Sequence, residues 1–307
     1  MEDCVPKIEF EMREMVKRHF TVDSLIQYAY LFLMDRLNEQ LPFGRLTVLH
    51  YRMFGGEGAA VYRAAAAVEF LILATDIFDD LQDQDAPKQA WSEAPLPIAL
   101  HLAAAFLTLS QQAMMDSEFD SSHVQTTMKM MNLQLLQAAN GQMMDLMNAV
   151  SDEHSYFQSI KQKSAALIVH ACMTGVMLTG RGWHPIVAEY AVEVGMAAQI
   201  KNDIRDLLRW DEKNDFLQRK KTLLTLYMLE DAVDQHNWIR DYFEGRLNEA
   251  DVADKRGLFE EAYEKSGAML YGLVVMRTHY NRFMELMESV PEVAVHKEML
   301  LSILAKE

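Results

Sequence analysis

Apolar positions along this chain recur three and four residues apart over long stretches, with polar residues between them. Phe70, Leu71, Leu73, Ala74, Ile77 and Leu81, within 58–81, follow a period of about 3.6 residues, which predicts a helix buried nearly all round. Similar patterns over 98–115, 124–150, 156–178, 185–210 and 258–287 predict further helices, several longer than the average of about 11–12 residues. No β-branched run of period two bounded by Asn-Gly or Asp-Gly occurs, so strands are not expected. Breaks fall at Pro42-Phe43-Gly44, Gly55-Gly56, the Pro95/Pro97 pair and Gly180-Arg181-Gly182. Neither a fixed-period repeat nor a Ser/Gly/Pro-rich linker divides the chain. The expected fold is therefore all-α, a single domain over 1–307 of about ten helices.

Composition narrows the function classes. Half of the 307 residues are hydrophobic and 24% are charged, which excludes intrinsic disorder. The net charge of −16 argues against nucleic acid as a partner, because phosphate contacts need clustered Lys and Arg. Two cysteines, Cys4 and Cys172, make no disulfide framework and favour a reducing compartment. The first residues are charged, without the apolar core of a secretory signal. The apolar stretches 94–109 and 164–180 contain His101 and His170 and fall short of the roughly 20 apolar residues of a membrane span. A soluble, cytoplasmic protein is expected. Twenty-two methionines are many; the cluster Met128, Met130, Met131, Met143, Met144 and Met147 suits either ordinary core packing or the wall of an apolar cavity.

The chemistry concentrates in two acidic runs. Asp76, Asp79, Asp80 and Asp83 follow the first apolar helix at helical spacing, so they stack on one side of it, and each like-charged pair opposes folding by about 0.2–0.5 kcal/mol. As a helix C-terminus this run also opposes the helix dipole. All its donors are carboxylate oxygens, a set that selects Mg²⁺ over Zn²⁺. More than a hundred residues later, Gln199, Asn202, Asp203 and Asp206 share one side of a second apolar helix. Two such patches suit several Mg²⁺ ions clamping a diphosphate whose hydrocarbon tail lies in an apolar pocket. Lys163-Ser164 and Lys220-Lys221-Thr222 are candidate phosphate contacts, although lone lysines are more often plain surface charge.

Over 45–230 these motifs resemble the trans-isoprenyl diphosphate synthases, the class I isoprenoid synthase family. Asp79-Asp80-Leu-Gln-Asp83 is similar to the first DDxxD motif, and Gly141-Gln142-Met-Met-Asp145 to GQxxD. Lys163-Ser164-Ala-Ala-Leu167 resembles K[TS]xxL. Gln199-Ile-Lys-Asn202-Asp203-Ile-Arg-Asp206 resembles the second acidic motif. Arg219-Lys220-Lys221-Thr222-Leu223 resembles GKxTL, with Arg in place of Gly. The resemblance implies a helical bundle around a central apolar cavity, three Mg²⁺ ions, an allylic diphosphate and a homodimer. It implies metal binding by Asp79, Asp80, Asp83, Asn202, Asp203 and Asp206. Lys163 and Lys220 would neutralise the diphosphate, and Gln142 and Gln199 would orient ligands. Phe70, Leu73 or Phe78 would set prenyl chain length.

Departures from the family pattern narrow this reading. Glu57, after Gly55-Gly56, stands where the resemblance puts a diphosphate-binding Lys. Ile72 replaces a histidine, and 86–91 carry no Arg pair, so a second diphosphate substrate is poorly served. Segments 49–57 and 69–85, with Trp91, resemble the ComQ-type pheromone isoprenyltransferases of bacilli. That resemblance implies transfer of a geranyl or farnesyl group to a tryptophan of a ComX-like pre-pheromone peptide in quorum sensing and competence. A lipidated product leaves peripheral membrane contact open. The alternatives are a class I terpene synthase, a chain-elongating synthase, and a silent subunit of a heteromeric synthase.

Overall fold

A computed structural model of the chain describes residues 4–83, 89–210, 214–232 and 237–304. Asp85 and residues 86–88 of the acidic run and its sequel lie outside them. Every regular element among the described residues is helical, and the chain resolves into two compact units.

The first unit comprises 1–136, 166–191 and 284–307. The helix expected over 58–81 forms as α4 (Ala60–Asp83), preceded by α1 (Val5–His19), α2 (Asp23–Asn38) and α3 (Pro42–Met53) and followed by the one-turn α5 (Ala90–Glu93) and α6 (Leu96–Met115). Every residue of α4 from Ala64 to Ala74 is buried, as the all-round apolar pattern requires. Four successive alanines, Ala64–Ala67, leave its neighbours room to approach. It packs on α1, α3, α6 and α9 (Ala166–Met177). Phe70 stacks on Phe106 of α6 with centroids 5.8 Å apart, and burying a side chain of this size contributes about 1.5–3 kcal/mol. Leu73 is fully buried, and Phe78 is half-buried. α3 and α9 run so close that a Cβ on Gly175 would sit 2.3 Å from the Thr47 carbonyl oxygen. The Thr47 hydroxyl donates to Ala171 O at 3.0 Å across this contact.

The second unit comprises 137–165 and 192–283. Its core gathers Tyr156, Ile160, Ile200, Ile204, Leu207, Phe216, Leu224, Tyr242 and Phe259. Phe216 is its aromatic centre, with Phe259 at 4.7 Å and Tyr242 at 5.4 Å between centroids. α7 (Ser121–Leu146), α10 (Pro185–Leu208) and α15 (Ala268–Glu288) divide their residues between the two units.

The structure corrects several expectations. The chain forms more helical segments than ten, because α1–α3 and the short helices near 90, 223–252 and 291–304 lack the long apolar periods that reveal a helix in sequence. The stretch 156–178 is not one helix: α8 (Glu153–Ile160) passes into a π-helical turn at Lys161–Ala165 before α9. Likewise 258–287 breaks at Gly267, whose φ of +73° ends α14 (Arg256–Ser266) ahead of α15. α6 spans 20 residues and, among the described residues, is the one helix that by length and composition alone could cross a membrane, a test that the core helix of a soluble protein also passes. One of its faces, with Ala99, Leu102, Ala103 and Phe106, is buried. The methionine cluster is split, with Met130 and Met131 buried and Met143 and Met147 exposed, so the six do not form one cavity wall.

Candidate active site

The first acidic motif occupies the last two turns of α4. Asp76, Asp79, Asp80 and Asp83 are all half-buried there, at the three- and four-residue spacing that stacks them. Two neighbours hold this row. Arg36 of α2, only 5% exposed in its side chain, lies 3.5 Å from Asp76 and donates to Glu69 at 2.7 Å. It also pairs with Glu39. Glu69, fully buried one turn deeper than Leu73, accepts as well from the Gly44 amide at 2.5 Å. Loss of hydration, followed by Glu39, Asp80 and Asp79, raises the Asp76 carboxyl above its usual range, while Arg36 opposes this. Because 41% of the Asp76 side chain is open to water, screening limits the effect. The second neighbour is Trp91, whose Nε1 donates to Asp80 Oδ2 at 2.7 Å.

The second unit draws four separate motifs together. Lys163 projects from the π turn to Asp145 with Nζ 2.6 Å from Oδ2. A π turn is an uncommon device that favours functional sites. Gly141 makes the approach possible: a Cβ there would lie 2.3 Å from the Lys163 amide nitrogen. Gln142 sits half-buried one turn before Asp145. The Ser164 hydroxyl donates to Gln199 Oε1 at 2.6 Å, and Gln199 Nε2 donates to Asp203 Oδ1 at 2.8 Å. Tyr156 donates its hydroxyl to Asp203 Oδ2 at 2.6 Å. Asp203 is thus held on both oxygens at 6% exposure, with Asn202 half-buried beside it. Asp206, one turn on, pairs with Arg205 at 3.0 Å and Arg209 at 3.8 Å.

The Lys220 segment is built from polar caps. The Lys220 amide donates to Asp215 O at 2.8 Å, and the Thr225 hydroxyl donates to Lys220 O at 2.8 Å. Arg219, the residue that replaces the expected glycine, has φ +55°. This left-handed backbone opposes most side chains by about 1–2 kcal/mol. Its guanidinium offsets that by stacking 4.4 Å above the Tyr242 ring and donating to Leu247 O at 2.7 Å.

Electrostatically this cluster is short of positive charge. Burial, with Asp145 and Asp206 adding to it, lifts Asp203 to about 6 against the hydrogen bonds from Tyr156 and Gln199. Burial and then Asp203 lift Asp215 to about 8, with Lys220 opposing. Carboxyls raised in the fold stabilise it below their unfolded values near 4, and that contribution is lost as pH climbs through the raised ones. The cation-free chain should therefore lose stability between about pH 4 and 8. Asp203→Asn removes the charge, and the Tyr156 hydroxyl can turn to accept from the amide. This variant is expected to melt closer to the same temperature at pH 5 and pH 8 than the parent chain; an unchanged pH dependence in thermal unfolding would count against the assignment.

An all-oxygen donor set with carboxyls raised by burial first and by one another second fits a hard divalent cation. Among the described residues, no group of three His, Cys, Asp or Glu side chains closes on one point. A Mg²⁺ ion here would be completed by phosphate oxygens and water, which is its usual habit.

Asp145 and Trp91 lie in the matched segments with no role legible in the sequence, and Tyr156, Asp215 and Arg36 lie outside every motif. Gly55 and Glu57 take a plainer place. Gly55, at φ +86°, ends α3, Gly56 N donates to Tyr51 O at 2.8 Å, and the Glu57 side chain is exposed on the turn.

An all-α fold carrying these motifs defines a prenyl-transferring enzyme, and the comparisons agree. The sequence model described as Polyprenyl synthetase matches residues 44–262, and the chain belongs to that family. It is 27% identical over 293 residues to the tryptophan prenyltransferase ComQ of Bacillus subtilis (strain 168), covering 94% of this chain and 95% of that protein. It is 25% identical over 258 residues to a geranylgeranyl diphosphate synthase of Saccharolobus solfataricus, covering 77% and 75%. A crystal structure of a geranylgeranyl pyrophosphate synthase superposes with TM-score 0.81 at 18% identity, covering 98% of each chain. The protein is a prenyltransferase.

Proposed function

We propose that this chain is a Mg²⁺-dependent isoprenyltransferase that ionises geranyl or farnesyl diphosphate and transfers the prenyl group to a tryptophan of a ComX-like precursor peptide, in quorum sensing and competence. The observation that carries the reading is the end-to-end likeness to ComQ, over 94% of this chain, in a protein that keeps both acidic motifs. The whole of 1–307 would act as one synthase-like domain around an apolar cavity, as a homodimer and in the cytoplasm. The two buried cysteines, which form no disulfide, suit a reducing compartment.

Asp79, Asp80 and Asp83, and Asn202, Asp203 and Asp206, would hold the metal, three ions in all by family likeness. Bound Mg²⁺ supplies charge stabilisation to the departing diphosphate. Lys163, kept in place by Asp145, would neutralise a diphosphate oxygen, and Lys220 would do the same from its capped turn. Gln199 and Gln142 would orient ligands, Gln199 by fixing Asp203. The allylic C–O bond breaks with its electron pair leaving on diphosphate, and the electron-rich indole attacks the allylic carbon, the resulting cation losing a proton to water or the released diphosphate. Phe70, Leu73 or Phe78 would limit prenyl length.

The test is an intact-mass assay with Mg²⁺, geranyl or farnesyl diphosphate and a Trp-bearing peptide, with and without isopentenyl diphosphate. One prenyl mass on the peptide, independent of isopentenyl diphosphate, is the expected result. A free terpene beside an unmodified peptide, or a lengthened diphosphate, would overturn it.

A further inference from the structure

We infer that Trp91 is a positioning residue for the first acidic motif and acts through Asp80; this rests on the metal-and-diphosphate reading above. Trp91 is 3% exposed, and a buried indole N–H requires an acceptor. The acceptor is a motif carboxylate, Asp80 Oδ2 at 2.7 Å.

Two further contacts fix the indole. Its ring meets Phe32 edge-on, with centroids 5.9 Å apart and planes at 74°. The preceding residue is tied down by its backbone, the Ala90 amide donating to Asp35 Oδ2 at 2.7 Å. Phe32 and Asp35 are three residues apart on α2, so one side of that helix grips both ring and backbone of the Trp91 turn. The next residue of α2, Arg36, lies 3.5 Å from Asp76. α2 thus governs two carboxylates one helical turn apart, Asp76 through an ion pair and Asp80 through an indole.

The choice of donor matters. A Lys or Arg at Asp80 would orient the carboxylate but also cancel the charge a cation needs. Indole N–H donates without carrying charge, so this bond orients Asp80 without itself neutralising it. The charge-assisted bond is directional and sets the plane of the carboxylate before any cation arrives, which reduces what binding must order.

The experiment uses the full chain grown with 5-fluorotryptophan, whose four tryptophans give four ¹⁹F resonances. The resonance absent from Trp91→Phe belongs to Trp91; should that variant fold poorly, single Phe variants at Trp183, Trp210 and Trp238 assign it by elimination. Adding Mg²⁺ in the presence of inorganic diphosphate should shift the Trp91 resonance. Phe keeps an aromatic ring against Phe32 while losing the donor and one ring of the indole, so Trp91→Phe should weaken Mg²⁺ binding by calorimetry about tenfold, with its helical circular dichroism retained. A Trp91 resonance unmoved by saturating Mg²⁺ and diphosphate, or an unchanged Mg²⁺ affinity in the variant, would overturn the inference alone. A parent chain that binds no Mg²⁺ with diphosphate would overturn both this and the function proposed above.

Discussion

Replacing Asp80 by Ala is expected to abolish diphosphate release from an allylic diphosphate, by about 10²–10³-fold or more, while the helical circular dichroism is retained. Asp80 stands between Asp76 and Asp83 in a row of like charges that a bound cation would relieve, and its Oδ2 is already oriented by Trp91 at 2.7 Å. Removing it deletes a ligand and weakens the cation's hold on the diphosphate. It also leaves the buried Trp91 N–H without its carboxylate, a loss of about 1–3 kcal/mol that lowers the melting temperature without unfolding the chain. Measuring inorganic diphosphate release beside a thermal melt separates the two effects. A folded variant that still releases diphosphate at the parent rate would remove Asp80 from the metal site.

Like a methyl at Gly175, Gly141→Ala should be strongly damaging. Its Cβ would sit 2.3 Å from the Lys163 amide nitrogen and 2.8 Å from the Lys163 Cα and Cβ. These are mostly backbone atoms with no rotamer to retreat into, so α7 and the π turn must separate. Forcing such a contact destabilises by about 1–3 kcal/mol, occasionally more. The same separation would draw Lys163 away from Asp145, now 2.6 Å apart. Activity should therefore fall further than stability explains, as a rise in KM for the diphosphate measured well below the melting temperature. A variant with unchanged KM would show that this contact is structural alone.

How much of this was legible beforehand depends on the range of each signal. α4 was readable almost to the residue, because its apolar period and its acidic end lie in one uninterrupted run. The two acidic motifs were readable for the same reason. The π turn was not, since an apolar pattern continues through it and only Gly141, in a different helix, marks the close approach. Tyr156 was invisible because its partner, Asp203, is 47 residues away. Asp215 looked like one acid in a charged loop, and only burial at 7% exposure distinguishes it. The Arg for Gly exchange at 219 was noticed as a mismatch, but its meaning needed the left-handed backbone and the Tyr242 ring beneath it.

The π turn also sets an angular phase. Successive residues of an α-helix are rotated by about 100° around its axis, and a π turn interpolates one extra residue into that screw. α9, buried along the whole run from Ile168 to Met177, packs on α3 and α4, so its fit there depends on where each residue falls around the helix axis. Lys163 rides on the bulge itself, off the regular screw. Changes in α9 and at Lys163 are thereby coupled: losing one residue between 161 and 165 would shift the residues of α9 by a quarter turn or more about its axis and re-aim the lysine in the same stroke. A local winding fault so placed tolerates substitution far better than insertion or deletion, and ancestry in this segment should be written in exchanged side chains at fixed length.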